Sequence, residues 1–119
     1  MKKILFVDDE ESIRFLYKEE FEEKGYEVVL AHNGKESLEK FAETDPDLIV
    51  IDIKMPVMDG IEVLKRVREQ SKDVPVILCT AYGEYKQNLE TWASDAYVVK
   101  SANLEGLFKK VEELLAHSR

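Results

Sequence analysis

Five short apolar runs recur along the chain at intervals of about 20 to 27 residues: Ile4 to Val7, Val28 to Ala31, Leu48 to Ile51, Val76 to Leu78 and Ala96 to Val99. They are rich in Val and Ile and do not alternate with polar residues. A run that is apolar on both faces is what a central parallel strand needs when helices cover both sides of its sheet. Periodicity alone leaves buried helix open as a second reading, so the segments between the runs decide. In the last of them Leu104, Leu107, Phe108, Val111, Leu114 and Leu115 fall on one stripe of a helix, while Lys109, Lys110, Glu112 and Glu113 occupy the other side. Ile13, Leu16, Tyr17 and Phe21 predict a first helix that stops near Gly25, where a left-handed residue is needed. Leu38, Phe41 and Ala42 predict a second helix after Asn33-Gly34. Ile61, Leu64 and Val67 predict a third after Asp59, whose carboxylate can accept exposed amide hydrogens. The segment around Tyr85, Leu89, Trp92 and Ala93 carries the weakest pattern.

Strand and helix in alternation predict an α/β fold: a doubly wound, five-stranded parallel sheet with right-handed crossovers and helices on both faces. No repeat, low-complexity tract or Gly/Ser/Pro-rich linker interrupts it, and residues 1–119 read as one domain. Ligands of such a sheet bind beyond the carboxyl ends of the strands, where the strand order reverses.

Charge and cysteine content narrow the function. Lys plus Arg number 17 against 25 for Asp plus Glu, a formal charge of −8 that disfavours phosphate backbones and anionic lipid. Direct nucleic-acid binding is therefore not expected. The longest apolar stretches are four residues, far below the ~20 that span a bilayer, so no membrane insertion is expected. A single cysteine, Cys79, precludes an internal disulfide and fits a reducing cytoplasm.

The residues that follow the runs supply the chemistry. Asp8 and Asp9 end the first, Asp52 the third, Thr80 the fourth and Lys100 the fifth; His32 follows the second. Three carboxylates gathered in a partly dry crevice repel one another, so a proton or a hard divalent cation must join them. Mg²⁺ suits this set, because it takes carboxylate, carbonyl and water oxygens and is commonly shared with a phosphoryl group; Mn²⁺ is an alternative. Thr80 and Lys100 then complete an anion cradle, and one carboxylate can itself accept phosphate. Each residue also has a plainer role: Asp8 and Asp9 as an acidic start to the first helix, Asp52 as a turn residue, Thr80 as a β-branched strand residue, Lys100 as a snorkelling surface lysine. Cys79 reads as core, Trp92 as helix packing, and His32 and His117 as ordinary polar positions.

The ordered set Asp8-Asp9, Asp52, Thr80 and Lys100, with Met55-Pro56 and Met58-Asp59-Gly60 after the central aspartate, resembles the receiver domain of two-component response regulators along the whole chain. The resemblance implies the flavodoxin-like strand order 2-1-3-4-5. It implies that Asp52 accepts phosphate from a phosphohistidine of a sensor histidine kinase or phosphotransfer protein. It further implies that Asp9 binds Mg²⁺ directly, Asp8 mainly through water, Asp52 as a ligand, and Lys54 through its backbone carbonyl. Thr80 and Lys100 would contact the phosphoryl oxygens, with Thr80 and Tyr97 as switch residues and Lys54 and Tyr82 as modulators of phosphate lifetime. Output would pass through the fourth helix, last strand and last helix, in a monomer or a phosphorylation-dependent dimer, from a stand-alone regulator or a piece of a longer one.

The chain departs from that pattern after Lys100, where Ser101 stands in place of the usual proline. A cis bond before a non-proline residue costs ~3 kcal/mol, which predicts a trans link with a reshaped loop, or a strained bond kept for function. Ser94-Asp95 replaces the usual glycine-containing turn and the Thr80 to Lys100 interval is short, which predicts a short or mobile fourth helix. Two rival functions remain. One is a pseudo-receiver that keeps the fold as an interaction module without being phosphorylated. The other is a Mg²⁺-dependent phosphohydrolase with an aspartate nucleophile, whose two acids are usually separated by one residue, whereas Asp8 and Asp9 are adjacent. A nucleotide or flavin carrier would want a phosphate-cradling first loop, and Asp8-Asp9-Glu10-Glu11 would repel its ligand.

Overall fold

The computed structural model describes residues 1–80, 95–100 and 103–117. Five strands form one parallel sheet in the order β2-β1-β3-β4-β5: β1 (Lys3–Val7), β2 (Glu27–Ala31), β3 (Leu48–Asp52), β4 (Val76–Thr80) and β5 (Ala96–Val99). Helices α1 (Glu11–Glu23), α2 (Gly34–Thr44) and α3 (Gly60–Gln70) follow the first three strands, and the C-terminal helix (Glu105–His117) follows β5. The predicted alternation is thus present. Two strands run further than their apolar cores: Asp52 is the last residue of β3 and Thr80 the last of β4.

The pleat assigns successive side chains to opposite faces. Leu5, Val7, Ile49, Ile51, Val76 and Leu78 pack with Phe41 of α2 and Val63, Leu64 and Val67 of α3. Ile4, Phe6, Leu48, Val50, Ile77 and Cys79 pack on the other side with Tyr17 and Phe21 of α1 and Leu107, Val111 and Leu115 of the C-terminal helix. The inner strands β1, β3 and β4 are buried along nearly their whole length, which explains why their sequences do not alternate. Cys79 is core, 2% exposed, with its thiol pushed up to about 12 by burial.

The helix boundaries follow the expected local chemistry. Asn33 and Asp59 cap α2 and α3, accepting from the amides of Glu36 and Glu62 at 2.8 and 3.0 Å. Gly25 takes φ +97° just past α1, as the left-handed stop requires. The register aligns Val7 with Ala31 and Ile51, Asp52 with Cys79, and Thr80 with Val99, so the carboxyl ends of all five strands meet along one edge. No helix among the described residues is long and apolar enough to cross a membrane. The fourth helical segment, Tyr82 and the link from Lys100 to Ser101 lie outside the described residues.

Candidate functional site

At the carboxyl edge the chain turns out of β1 through Asp8, which is 1% exposed although it is an acid. Its backbone is fixed on both sides: Asp8 N–H donates to Ala31 O at 3.1 Å, and Arg14 Nη1 donates to Asp8 O at 2.8 Å. Its Oδ1 accepts from the Glu10 amide at 2.9 Å. Asp52, 4% exposed, ends the neighbouring strand. Its position depends on Gly60: the Gly60 amide donates to Ile53 O at 2.9 Å, and a Cβ there would lie 2.8 Å from Ile53 Cα and collide with the Asp52 carbonyl oxygen. The Met58-Asp59-Gly60 turn therefore packs directly on the end of β3.

Lys100 joins the two acids. Its Nζ lies 2.7 Å from Asp8 Oδ2, 3.2 Å from Asp52 Oδ2 and 3.7 Å from Glu10 Oε1. Its own backbone is held at the end of β5 by an amide hydrogen bond to Thr80 O at 2.6 Å. Burial by itself would lower the lysine's pKa, but the hydrogen bond and charge of Asp8, with Asp52 behind them, raise it above its ordinary value. Asp52 is raised from 3.8 to about 6, because burial and the neighbouring Asp8 charge outweigh the attraction of Lys100. One ammonium thus cannot neutralise the acids around it.

The remaining residues fall as follows. Carboxylate oxygens of Asp8, Asp9 and Glu10 lie within 4.8 Å of one another, Asp9 and Glu10 exposed and Asp8 buried. Thr80 is fully buried at the end of β4. Lys54 is exposed in the β3-to-α3 loop, beside Ile53, Met55, Pro56 and Asp59. Tyr97 sits half-buried in the edge strand β5 and packs against the core shared with α2 and α3. His32 pairs with Glu36 at 2.6 Å on the surface.

The donor set fits a hard divalent cation. Asp8 Oδ2 is buried and, among the described residues, meets only the Lys100 ammonium at 2.7 Å, which leaves it lone-pair capacity for a cation. Glu10 was legible only as one acid in the run Asp8-Asp9-Glu10-Glu11; that it turns back onto Lys100 depends on the geometry of the loop.

Fold and rim together define a flavodoxin-like α/β domain with an acidic, cation-compatible site at the carboxyl edge of its sheet. The chain belongs to the response regulator receiver domain family, whose model matches residues 4–112. It is 41% identical over 120 residues to the alkaline phosphatase synthesis transcriptional regulatory protein PhoP of Bacillus subtilis, covering 98% of this chain and 50% of that protein. It is 39% identical over 117 residues to the regulatory protein AtoC of Escherichia coli, covering 97% of this chain and 25% of that protein. The chain thus spans half or less of these two relatives. Among solved structures it is similar to the response regulator TrrA of Thermotoga maritima in complex with Mg²⁺-BeF, with 50% identity, a TM-score of 0.91 and coverage of 96% of this chain and 99% of that one.

Proposed function

We propose that this receiver domain is a phospho-acceptor switch in two-component signal transduction, with Asp52 taking a phosphoryl group from a phosphohistidine of a sensor histidine kinase or phosphotransfer protein. The observation that carries this reading is the Lys100 ammonium suspended between Asp8 and Asp52 at the ends of three different strands. Similarity to TrrA, which has also been crystallised in complex with the histidine kinase ThkA, supports a kinase as donor.

In the transfer an Asp52 carboxylate oxygen attacks phosphorus in line, the P–N bond to the donor imidazole breaks, and the electron pair returns to the ring nitrogen. Phosphoryl transfer asks a protein mainly for positioning and charge neutralisation. Asp52 is held in place by its strand and by Gly60. Lys100 leaves the Asp52 carboxylate for a phosphoryl oxygen, and the Thr80 hydroxyl donates to another. When bound, Mg²⁺ supplies positive charge against the phosphoryl oxygens, and Asp8, Asp9, Asp52 and the Lys54 carbonyl would hold it, with Mn²⁺ as a substitute. Tyr97 acts as the switch residue that passes the change to the output surface. Lys54, at the open side of the site, and Tyr82 limit water access and so set the phosphate lifetime. The protein works in the cytoplasm, residues 1–119 forming one receiver domain.

Incubation with acetyl phosphate and Mg²⁺ tests the assignment. Intact mass spectrometry is expected to show the gain of one phosphoryl group in the wild type and none in Asp52→Ala; an undiminished gain in the variant overturns the acceptor.

A further inference from the structure

The acid that the phosphoryl reading leaves unused is Glu10. It stands at the N-cap of α1 with an extended backbone (φ −95°, ψ 121°), yet its side chain caps nothing. A helix N-cap favours Ser, Thr, Asp or Asn, whose short side chains satisfy the first free amides. Here a longer carboxylate sits 3.7 Å from the Lys100 ammonium and within 4.8 Å of the Asp8 and Asp9 oxygens. Sharing one ammonium with Asp52 keeps Glu10 and Asp52 no more than about 7 Å apart. Unlike Asp8 and Asp52, Glu10 is exposed, with 60% of its side chain open, so it stands at the mouth of the site.

We infer that Glu10 is a specificity-determining residue for the phosphodonor: its charge selects against small, strongly anionic donors and for a donor that brings positive charge to the mouth, such as a phosphohistidine flanked by Lys or Arg. The inference rests on the phospho-acceptor reading above. Among the described residues at the site, Asp8, Asp9 and Asp52 are balanced in charge by Lys100 together with a divalent cation, and Glu10 adds one negative charge in excess. A dianion approaching Asp52 meets that excess charge, whereas a donor carrying a cation beside its phosphoryl group is drawn to it. At a separation of up to about 7 Å and with the screening of water, removing one charge from the path of a dianion corresponds to about a three- to tenfold change in rate at low salt.

Two small donors of unequal charge isolate the effect. Acetyl phosphate is a dianion at neutral pH; Asp52 attacks phosphorus, the P–O bond breaks and acetate leaves. Phosphoramidate reacts as its N-protonated monoanion; the P–N bond breaks and ammonia leaves. Second-order rates for both, with saturating Mg²⁺, are compared in wild type, Glu10→Gln and Glu10→Asp at ionic strengths of about 0.02 M and about 0.5 M, between which the screening length falls from about 20 Å to about 4 Å. Glu10→Gln is expected to accelerate acetyl phosphate about three- to tenfold at low salt, phosphoramidate by less, and neither at high salt, with Glu10→Asp close to wild type. An equal change for both donors, a change that survives high salt, or no change overturns the inference and leaves Asp52 as acceptor. Failure of the wild type to be modified by either donor overturns both.

Discussion

The buried Asp52 carboxylate should destabilise the fold that holds it. Asp52 is nearly buried, and burial together with Asp8 lifts its pKa from 3.8 to about 6, even with Lys100 at 3.2 Å. Between those two values the folded state holds a proton that the unfolded chain has released, so this group's contribution to stability falls as pH rises through the window. It is least unfavourable below about pH 4 and fully unfavourable above about pH 6 to 7. A shift of about two pH units corresponds to about 3 kcal/mol at neutral pH. Asp52→Asn keeps the shape, removes the charge and leaves Lys100 its 2.7 Å partner Asp8. Urea unfolding followed by far-UV circular dichroism in metal-free buffer should therefore find the variant more stable than wild type by about 2 to 3 kcal/mol near pH 7, and by less than about 1 kcal/mol near pH 4. Equal stability near pH 7 would refute the electrostatic reasoning. A gain of the same size at both pH values would assign it to packing instead.

Four further substitutions test the site's backbone support and the stability of the fold around it. Gly60→Ala drives a Cβ into backbone atoms of Asp52 and Ile53 that cannot yield, so thermal unfolding should show a loss of about 2 kcal/mol or more and acetyl phosphate labelling should slow; at Gly34 the nearest atoms to a new Cβ belong to the Met58 side chain rather than to backbone, so Gly34→Ala should cost less. Val57 holds φ +70° with its side chain fully exposed, so Val57→Asn, which tolerates that conformation, should gain about 1 kcal/mol in urea unfolding without loss of packing. Asp95 Oδ2 accepts both from Arg68 Nη2 at 2.9 Å and from the buried amide of Val76 at 2.8 Å, so Asp95→Ala should cost about 1 to 3 kcal/mol by leaving that amide unpaired, measured by chemical denaturation.

The sheet was legible because its inner strands are buried on both faces: the runs from Ile4, Leu48 and Val76 could not be half-solvated strands. Asn33, Asp59 and Gly25 announced their helix ends because caps and left-handed stops depend on the local residue type. Asp8, Asp52, Thr80 and Lys100 could be gathered from sequence, since parallel strands must deliver their carboxyl ends to one edge. The contacts of Glu10 and Asp95 were not legible in this way. Glu10 reads as one more acid in a run of four, and its approach to Lys100 follows from the extended backbone between β1 and α1. Asp95 reads as a departure from a glycine turn, whereas its carboxylate ties the end of α3 to the starts of β4 and β5, a long-range arrangement that no local pattern encodes. Tyr97 was placed by its spacing from Lys100 along β5, and its packing toward α2 and α3 follows from strand parity.

The central claim is that Asp52 carries the phosphoryl group as a mixed anhydride. Wild-type protein treated with acetyl phosphate and Mg²⁺, then reduced with borohydride, converts an acyl-phosphorylated aspartate to homoserine, which peptide mass spectrometry locates. The account predicts homoserine at position 52 and nowhere else, and only after exposure to the phosphodonor. Reduction at Asp8, Asp9 or Asp59 instead, or no reduced residue in protein that has gained a phosphoryl group, would contradict it.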